Sequence, residues 1–277
     1  MSAIAGSISL ITGGGSGLGR LVARKLAARG STIVLWDLSQ AALDAVVAQI
    51  RDAGGQAHGY ICDVSDRQQV AAVAERVRAE VGAVDILVNN AGVVSGQSIL
   101  DLTAEKIERT FNVNVLGLFW VTKAFLPEMV ERNRGHIVSI ASASGLIGVA
   151  KLGDYAASKW AVVGFDESLR VELKRTAPAV MTTVVCPFYI NTGMFRGVKS
   201  RFPALLPILE EEYVAERLVA AVAGNRRRLI LPRLVFLVPA MRILPVAWFD
   251  AIADFLGVNV SMEEFVGRSP TAPERDV

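Results

Sequence analysis

Histidine and cysteine are nearly missing from this chain: its 277 residues include two of each, His58 and His136, Cys62 and Cys186. The cysteines lie far apart and cannot build a disulfide framework, which points to a reducing, cytoplasmic setting and to thiols that pack as small hydrophobes. None of the four shows the close pairing of a zinc site, so no metal is expected. A Ser-His-Asp hydrolase would have to use one of these histidines, and neither lies near a nucleophile-elbow pattern. An excess charge of either sign is missing as well, with 29 Lys and Arg against 27 Asp and Glu and a net of +2. That balance offers no clustered basic face, and no nucleic-acid partner is expected. Residues 1–6 have no positive stretch followed by an apolar run, so no secretory signal is read there.

Apolar residues, by contrast, are plentiful. Hydrophobic residues make up 52% and charged residues 20%, and the mean hydropathy is +0.41. This composition excludes disorder as the main state and is enough to fill a sizeable core. Strands are predicted over 7–12, 31–37, 56–62, 83–88, 136–141, 180–186 and 229–231. Helices are predicted over 17–29, 39–53, 66–81, 104–131 (in two pieces), 155–175 and 210–223. Strands that are apolar throughout and separated by helices call for a parallel sheet covered on both faces. The expectation is one doubly wound α/β domain over 1–277. Within it, 190–225 reads as a substrate flap and helix, 232–267 as an apolar C-terminal extension, and 269–277 as a frayed end.

Directly after the first predicted strand comes Thr12-Gly13-Gly14-Gly15-Ser16-Gly17-Leu18-Gly19. A strand that turns through glycines into a helix lets backbone N–H groups and the helix N-terminus face a pyrophosphate. Gly13, Gly15 and Leu18 miss the third glycine of GxGxxG. Arg20 and Leu21 stand where a P-loop needs Lys and then Ser or Thr, so an NTPase is rejected. A glycine-rich turn without a ligand is the plain alternative. Asp37 ends the second strand about 20 residues beyond Gly17, where an acidic residue would bind the adenosine ribose hydroxyls. A carboxylate there repels a 2′-phosphate, and neither Ser16 nor Leu38 offers a cation, so NAD is expected over NADP.

Read together, these motifs resemble the short-chain dehydrogenase/reductase family over 7–192. Its TGxxxGxG turn is matched by Thr12, Gly13, Gly17 and Gly19, its Asp-Val pair by Asp63-Val64, and its NNAG by Asn89-Asn90-Ala91-Gly92. Its YxxxK element is matched by Tyr155 and Lys159, its serine by Ser142, and its helix asparagine by Asn114. The resemblance implies a Rossmann-like fold with a seven-stranded parallel sheet and a nicotinamide cofactor held by Gly13, Ser16, Gly17, Leu18, Gly19 and Asp37. It places Asp63 at the adenine amino group, Val64 and Ala91 along the ring, and Asn90 at the ribose or under the strand ends. Gly92, Tyr155, Lys159, Pro187, Ile190 and Thr192 complete the set, with Thr192 at the carboxamide. Asn114 would hold a water linking Lys159 to solvent, and the helices carrying Tyr155 and Asn114 would build a homodimer or homotetramer. One departure is Phe188, which follows Pro187 where many members have glycine and puts a bulky ring near the nicotinamide. The stretches 186–195, 256–258 and 265–268 are similar to a subgroup containing retinol and 17β-hydroxysteroid dehydrogenases.

Hydride exchange at an alcohol carbon requires a proton to move at the substrate oxygen. A tyrosine serves only if its pKa falls well below the ordinary value of about 10. Tyr155 and Lys159 are one helical turn apart, and the ammonium favours the phenolate, as does the positive charge of oxidised nicotinamide, so Tyr155 is the expected acid/base. Ser142, just past the fifth strand, can donate to the developing oxyanion. Ser139 should lie within that strand, and Ser144 is off the family spacing. The expected activity is NAD-dependent interconversion of a lipophilic secondary alcohol and ketone, or another bulky alcohol/carbonyl pair. The rivals are an NADP-dependent retinol- or hydroxysteroid-type dehydrogenase, and a redox sensor that holds NAD without turnover and would need no acid/base.

The run 229–249 approaches the length of a membrane span, but Arg233, Arg242 and three prolines interrupt it. Three readings stand: a wall over a lipophilic pocket, a subunit interface, or peripheral membrane contact aided by Arg226, Arg227 and Arg228. Phe188, Tyr189, Phe195 and Phe202 are expected to enclose the apolar substrate.

Overall fold

The computed structural model describes residues 4–267; the end predicted to fray, 269–277, lies outside the described residues. Seven strands, β1 (Ile8–Thr12), β2 (Thr32–Asp37), β3 (Ala57–Ile61), β4 (Ile86–Asn89), β5 (Gly135–Ile140), β6 (Val180–Pro187) and β7 (Arg228–Leu231), form one sheet in the order β3-β2-β1-β4-β5-β6-β7. Every neighbouring pair is parallel. Successive side chains point to opposite faces of the sheet, and both faces are buried, which is why the strands read as unbroken apolar runs. Ile11, Ile33, Leu35 and Val88 join one core with helices α1 (Gly17–Ala27), α2 (Gln40–Asp52) and α7 (Glu211–Ala223). Leu10, Val34, Trp36 and Leu87 join the other, against α3 (Arg67–Glu80), α5 (Gly117–Glu131) and α6 (Gly153–Thr176). The order reverses between β1 and β4, and the carboxyl ends of strands at such a switch point frame the ligand crevice of open α/β sheets.

Helix starts follow local chemistry. Ser39 caps α2 by accepting from Ala42 N, and Asp66 caps α3 by accepting from Gln68 N and Gln69 N. The helix predicted over 104–131 is α4 (Ala104–Phe111) and α5, joined by a π turn at Asn112–Leu116 that carries Asn114. Such a widened turn inside a helix often marks a functional site. The two scarce histidines are not near the crevice chemistry: His136 is buried in β5, its Nε2 2.7 Å from Thr183 Oγ1, and burial pushes it down to about 4. Both cysteines are free and buried, and burial pushes each thiol up to about 12, so neither is a nucleophile.

Beyond β7 the apolar run forms no spanning helix. Prolines cut it into a 3₁₀ turn (Arg233–Leu237), α8 (Val238–Met241) and α9 (Val246–Phe255), with Pro239 in the first turn of α8 and Pro245 at the start of α9. The segment after α9 is stitched to the flap after β6. Val266 N donates to Arg196 O at 2.9 Å, Lys199 N to Ser261 O at 3.2 Å, and Lys199 Nζ meets Glu264 at 2.6 Å.

Candidate active site

A cavity of about 770 Å³ runs across the carboxyl ends of the strands, polar at one end and apolar at the other. The glycine turn forms the polar end. Gly13 and Gly17 adopt φ of +63° and +50°, a conformation that excludes side chains. A Cβ on Gly19 would lie 2.2 Å from Gly13 O, so the helix start can press against the turn only as glycine. Ser16, the N-cap of α1, makes no side-chain capping bond and leaves that helix start free to meet an anion. Gly13, Ser16, Gly17, Leu18, Asp63, Val64, Ala91 and Gly92 all line the cavity, whereas Gly19 stands behind it. These residues fit a dinucleotide: the cradle is one that a Cβ would fill, and its open helix start is what a pyrophosphate requires.

Asp37 lines the same end. Its Oδ2 accepts from Gly15 N at 2.9 Å, and its Oδ1 accepts from Leu38 N at 2.8 Å and Ser39 N at 3.2 Å. Asn90 supports the strand ends, one of the two roles left open by the sequence: Nδ2 donates to Thr12 O at 2.9 Å and Gly13 O at 3.1 Å. Asp63 Oδ1 accepts from Ser65 N and Ser65 Oγ at 2.9 and 2.7 Å. Pro187, Ile190 and Thr192 line the cavity farther along.

Between the two ends sit the chemical groups. Ser142 is extended (φ −168°) and opens the short turn Ala143–Gly145. A Cβ on Gly145 would meet Lys159 O at 2.6 Å, so this turn lies directly on α6 and carries Ser142 to Tyr155 and Lys159. All three line the cavity and are 4–8% exposed, so water has little access to the reacting groups. Ser139 is fully buried within β5, and Ser144 is buried with its N–H donating to Ser142 Oγ at 3.1 Å. Lys159 Nζ donates to Ile140 O at 2.8 Å and lies 5.5 Å from the centre of the Tyr155 ring. Asn114 grips the loop above: Oδ1 accepts from Val93 N at 2.8 Å, and Nδ2 donates to Val93 O and Ser158 Oγ, both at 3.0 Å. Gly92 separates Asn114 from Lys159; a Cβ there would be 3.3 Å from Asn114 Oδ1 and 3.6 Å from Lys159 Nζ.

The Tyr155 phenol is not acidified in the protein alone; burial pushes it above its usual range, and a hydrogen bond with Ser142 offsets only part of that rise. Burial also pushes Lys159 down to about 8. Desolvation is the largest influence on both groups. Without a further positive charge beside it, Tyr155 is held as the protonated acid.

The apolar end includes Phe188, Tyr189 and Phe195 together with Leu234, Val238, Phe249 and Leu256. Phe195 leans edge-on against Tyr155 at 5.6 Å and against Tyr189 at 5.1 Å. Tyr189 OH reaches Ser261 Oγ at 2.8 Å, tying this wall to the C-terminal segment. Phe188 replaces a family glycine without a left-handed backbone; its N–H donates to Leu231 O at 2.7 Å and its ring packs on Tyr189 at 4.6 Å. Phe202 lies outside the cavity. Its ring packs on Phe255 at 5.4 Å, and the Arg201 guanidinium covers both rings. Arg109 and Leu206 also line the cavity and carry no motif that would have marked them. The alternation of inward and outward residues in 234–256 was a usable signal, hidden because both faces are apolar.

Comparison with known proteins agrees with this geometry. The family model described as short chain dehydrogenase matches residues 7–201. Epidermal retinol dehydrogenase 2 of Mus musculus is 46% identical over 268 residues, covering 96% of this chain and 87% of that protein. Retinol dehydrogenase 10 of Homo sapiens is 42% identical over 298 residues, covering 97% and 87%. The solved structure of a short chain dehydrogenase/reductase from Burkholderia phymatum in complex with NAD is 29% identical, with a TM-score of 0.77 over 99% of this chain and 100% of that one. A gluconate 5-dehydrogenase from Burkholderia cenocepacia J2315, in complex with NADP and tartrate, is 27% identical with a TM-score of 0.75, covering 82% and 94%.

Proposed function

This chain belongs to the short-chain dehydrogenase/reductase family and is an oxidoreductase, and from that premise we propose that it interconverts a bulky, apolar alcohol and its carbonyl with NAD. One observation carries the proposal: Ser142, Tyr155 and Lys159 share a cavity with the glycine turn and Asp37 at one end and an aromatic and aliphatic wall at the other. The bound nicotinamide supplies the hydride-exchanging carbon and, when oxidised, a positive charge beside the phenol. Tyr155 gives a proton to the carbonyl oxygen, or takes one from the alcohol. Ser142 holds that oxygen by donating a hydrogen bond as negative charge develops. Lys159 fixes the turn of α6 beneath Tyr155 through its bond to Ile140 O, and its ammonium form favours the phenolate.

Asp37 supports NAD, because its carboxylate would repel a 2′-phosphate and the neighbouring Leu38 offers no cation. The relatives named for retinol and the apolar wall support a long lipophilic alcohol of that kind. The outward residues of the extension suit a lipid surface from which such a substrate would come: Ile243, Val246, Trp248 and Phe236 are 61–88% exposed. The test is a panel of retinoids, steroids and small aryl or alkyl alcohols, each with NAD and with NADP. Turnover of large apolar members with NAD supports the reading; preference for NADP, or for small polar alcohols, contradicts it.

A further inference from the structure

Asp154 has no part in the chemistry above, yet it is buried beside it. It lies in the first turn of α6, next to Tyr155, and is 5% exposed. Its Oδ2 accepts from two hydroxyls, Thr110 Oγ1 at 2.7 Å in the last turn of α4 and Ser95 Oγ in the loop after β4. Its Oδ1 is buried with no hydrogen-bond partner among the described residues. A carboxylate under cover with one oxygen unsatisfied costs free energy that an apolar side chain would not. The start of α6 lowers that cost, because its N-cap Leu152 makes no side-chain bond and the first N–H groups favour a nearby anion. Packing alone does not call for such a residue. Two hydroxyls converging on one oxygen join three separate segments.

The segments define what the junction does. The loop after β4 covers the reacting groups and is held at three points. Asn114 clamps the backbone of Val93. Val94 packs against the buried cluster that contains Leu152, Tyr155 and Tyr189. Gly96, at φ +65°, lies under Phe265, where a Cβ would be 2.1 Å from the ring. Between the second and third of these points, Ser95 ties the loop to the turn of α6 that bears Tyr155.

We propose that Asp154 is a positioning residue for Tyr155, drawing Ser95 and Thr110 onto the first turn of α6 and so fixing the phenol against Ser142. This rests on Tyr155 being the acid/base. Asp154 bonds to Thr110 and Ser95 and to no residue of the glycine turn, so the effect falls on turnover and not on dinucleotide affinity.

The test compares Asp154→Ala, Asp154→Asn, Ser95→Ala and Tyr155→Phe in the full chain, using whichever alcohol of the panel is turned over fastest. It measures kcat and KM across pH, dinucleotide Kd, and melting temperature. Asp154→Ala should lower kcat on the order of tenfold and displace the pH profile of kcat, with dinucleotide Kd unchanged. Asp154→Asn should restore most of kcat, since its amide oxygen accepts from the same two hydroxyls, and Ser95→Ala should fall between. A wild-type kcat and pH profile in Asp154→Ala overturns the proposal, as does a loss confined to melting temperature. An Asp154→Asn variant as poor as Asp154→Ala overturns it too, because charge and not the junction would then be responsible. If Asp154→Ala does not fold, Ser95→Ala decides, and wild-type turnover there is the contrary result. Activity surviving in Tyr155→Phe refutes the underlying reading; an inactive Tyr155→Phe beside an unaffected Asp154→Ala refutes only the positioning role.

Discussion

Lys159 and Tyr155 are each shifted by burial in opposite senses, and that has consequences for stability. Lys159 titrates at about 8 in the fold instead of 10.5, so between these values the unfolded chain binds more protons than the folded one. The fold therefore gains stability as pH rises through this window, by up to about 3 kcal/mol from this group. Tyr155, raised above 10, reverses the trend only in stronger alkali. Calorimetry should show wild-type stability rising relative to Lys159→Met between about pH 7 and pH 10; a constant difference would mean the amine is not desolvated. Asp37 is the second residue whose charge decides something. Asp37→Ala should tighten NADP binding on the order of tenfold by removing a repulsion of about 1–2 kcal/mol, as read by titration calorimetry. Unchanged NADP affinity would take the discrimination away from Asp37.

Elements rather than single side chains bring the site together, and here the sequence was legible in part. The glycine turn and the alternation of apolar strands with helices follow from local chemistry that periodicity and spacing reveal, whereas the strand order that makes the switch point is set by tertiary pairing. Ser142, Tyr155 and Lys159 were marked by motif, but their contact depends on Gly145 lying against the backbone of α6, which nothing in the order of residues announces. Phe202 shows the converse. An aromatic in the flap was read as pocket wall, yet its ring packs on Phe255 under Arg201, because a ring in a loop takes whichever apolar surface the tertiary fold brings to it. The phenol's pKa was unreadable for a related reason: spacing gives the distance to an ammonium but not the depth of burial. Gly19→Ala tests the turn as an element. Its Cβ would lie 2.2 Å from Gly13 O, so dinucleotide affinity should fall on the order of a hundredfold. Native affinity in that variant would remove the cradle from the account.

At the scale of the whole molecule, the far wall of the cavity comes from the last part of the described chain, so substrate range and C-terminal structure are linked. Removing the residues after Pro232 should raise KM for large apolar alcohols more than for small ones. Equal losses for both, with a dissociated oligomer, would make the extension an interface instead. Flotation of the intact chain with liposomes, lost on the same truncation, would add a membrane role for its outward residues. A subunit interface is proposed on α5 and α6, where Phe119, Trp160 and Val171 are 38–53% exposed. Phe119→Glu should dissociate an oligomer built there, as followed by sedimentation. The proposed chemistry depends on the phenol moving the proton, and the most direct measurement is single-turnover oxidation by Tyr155→Phe alongside its dinucleotide Kd. The account predicts an unchanged Kd with the chemical step slowed about 10²–10⁴-fold; a step as fast as wild type, from a site that still binds the dinucleotide, would contradict it.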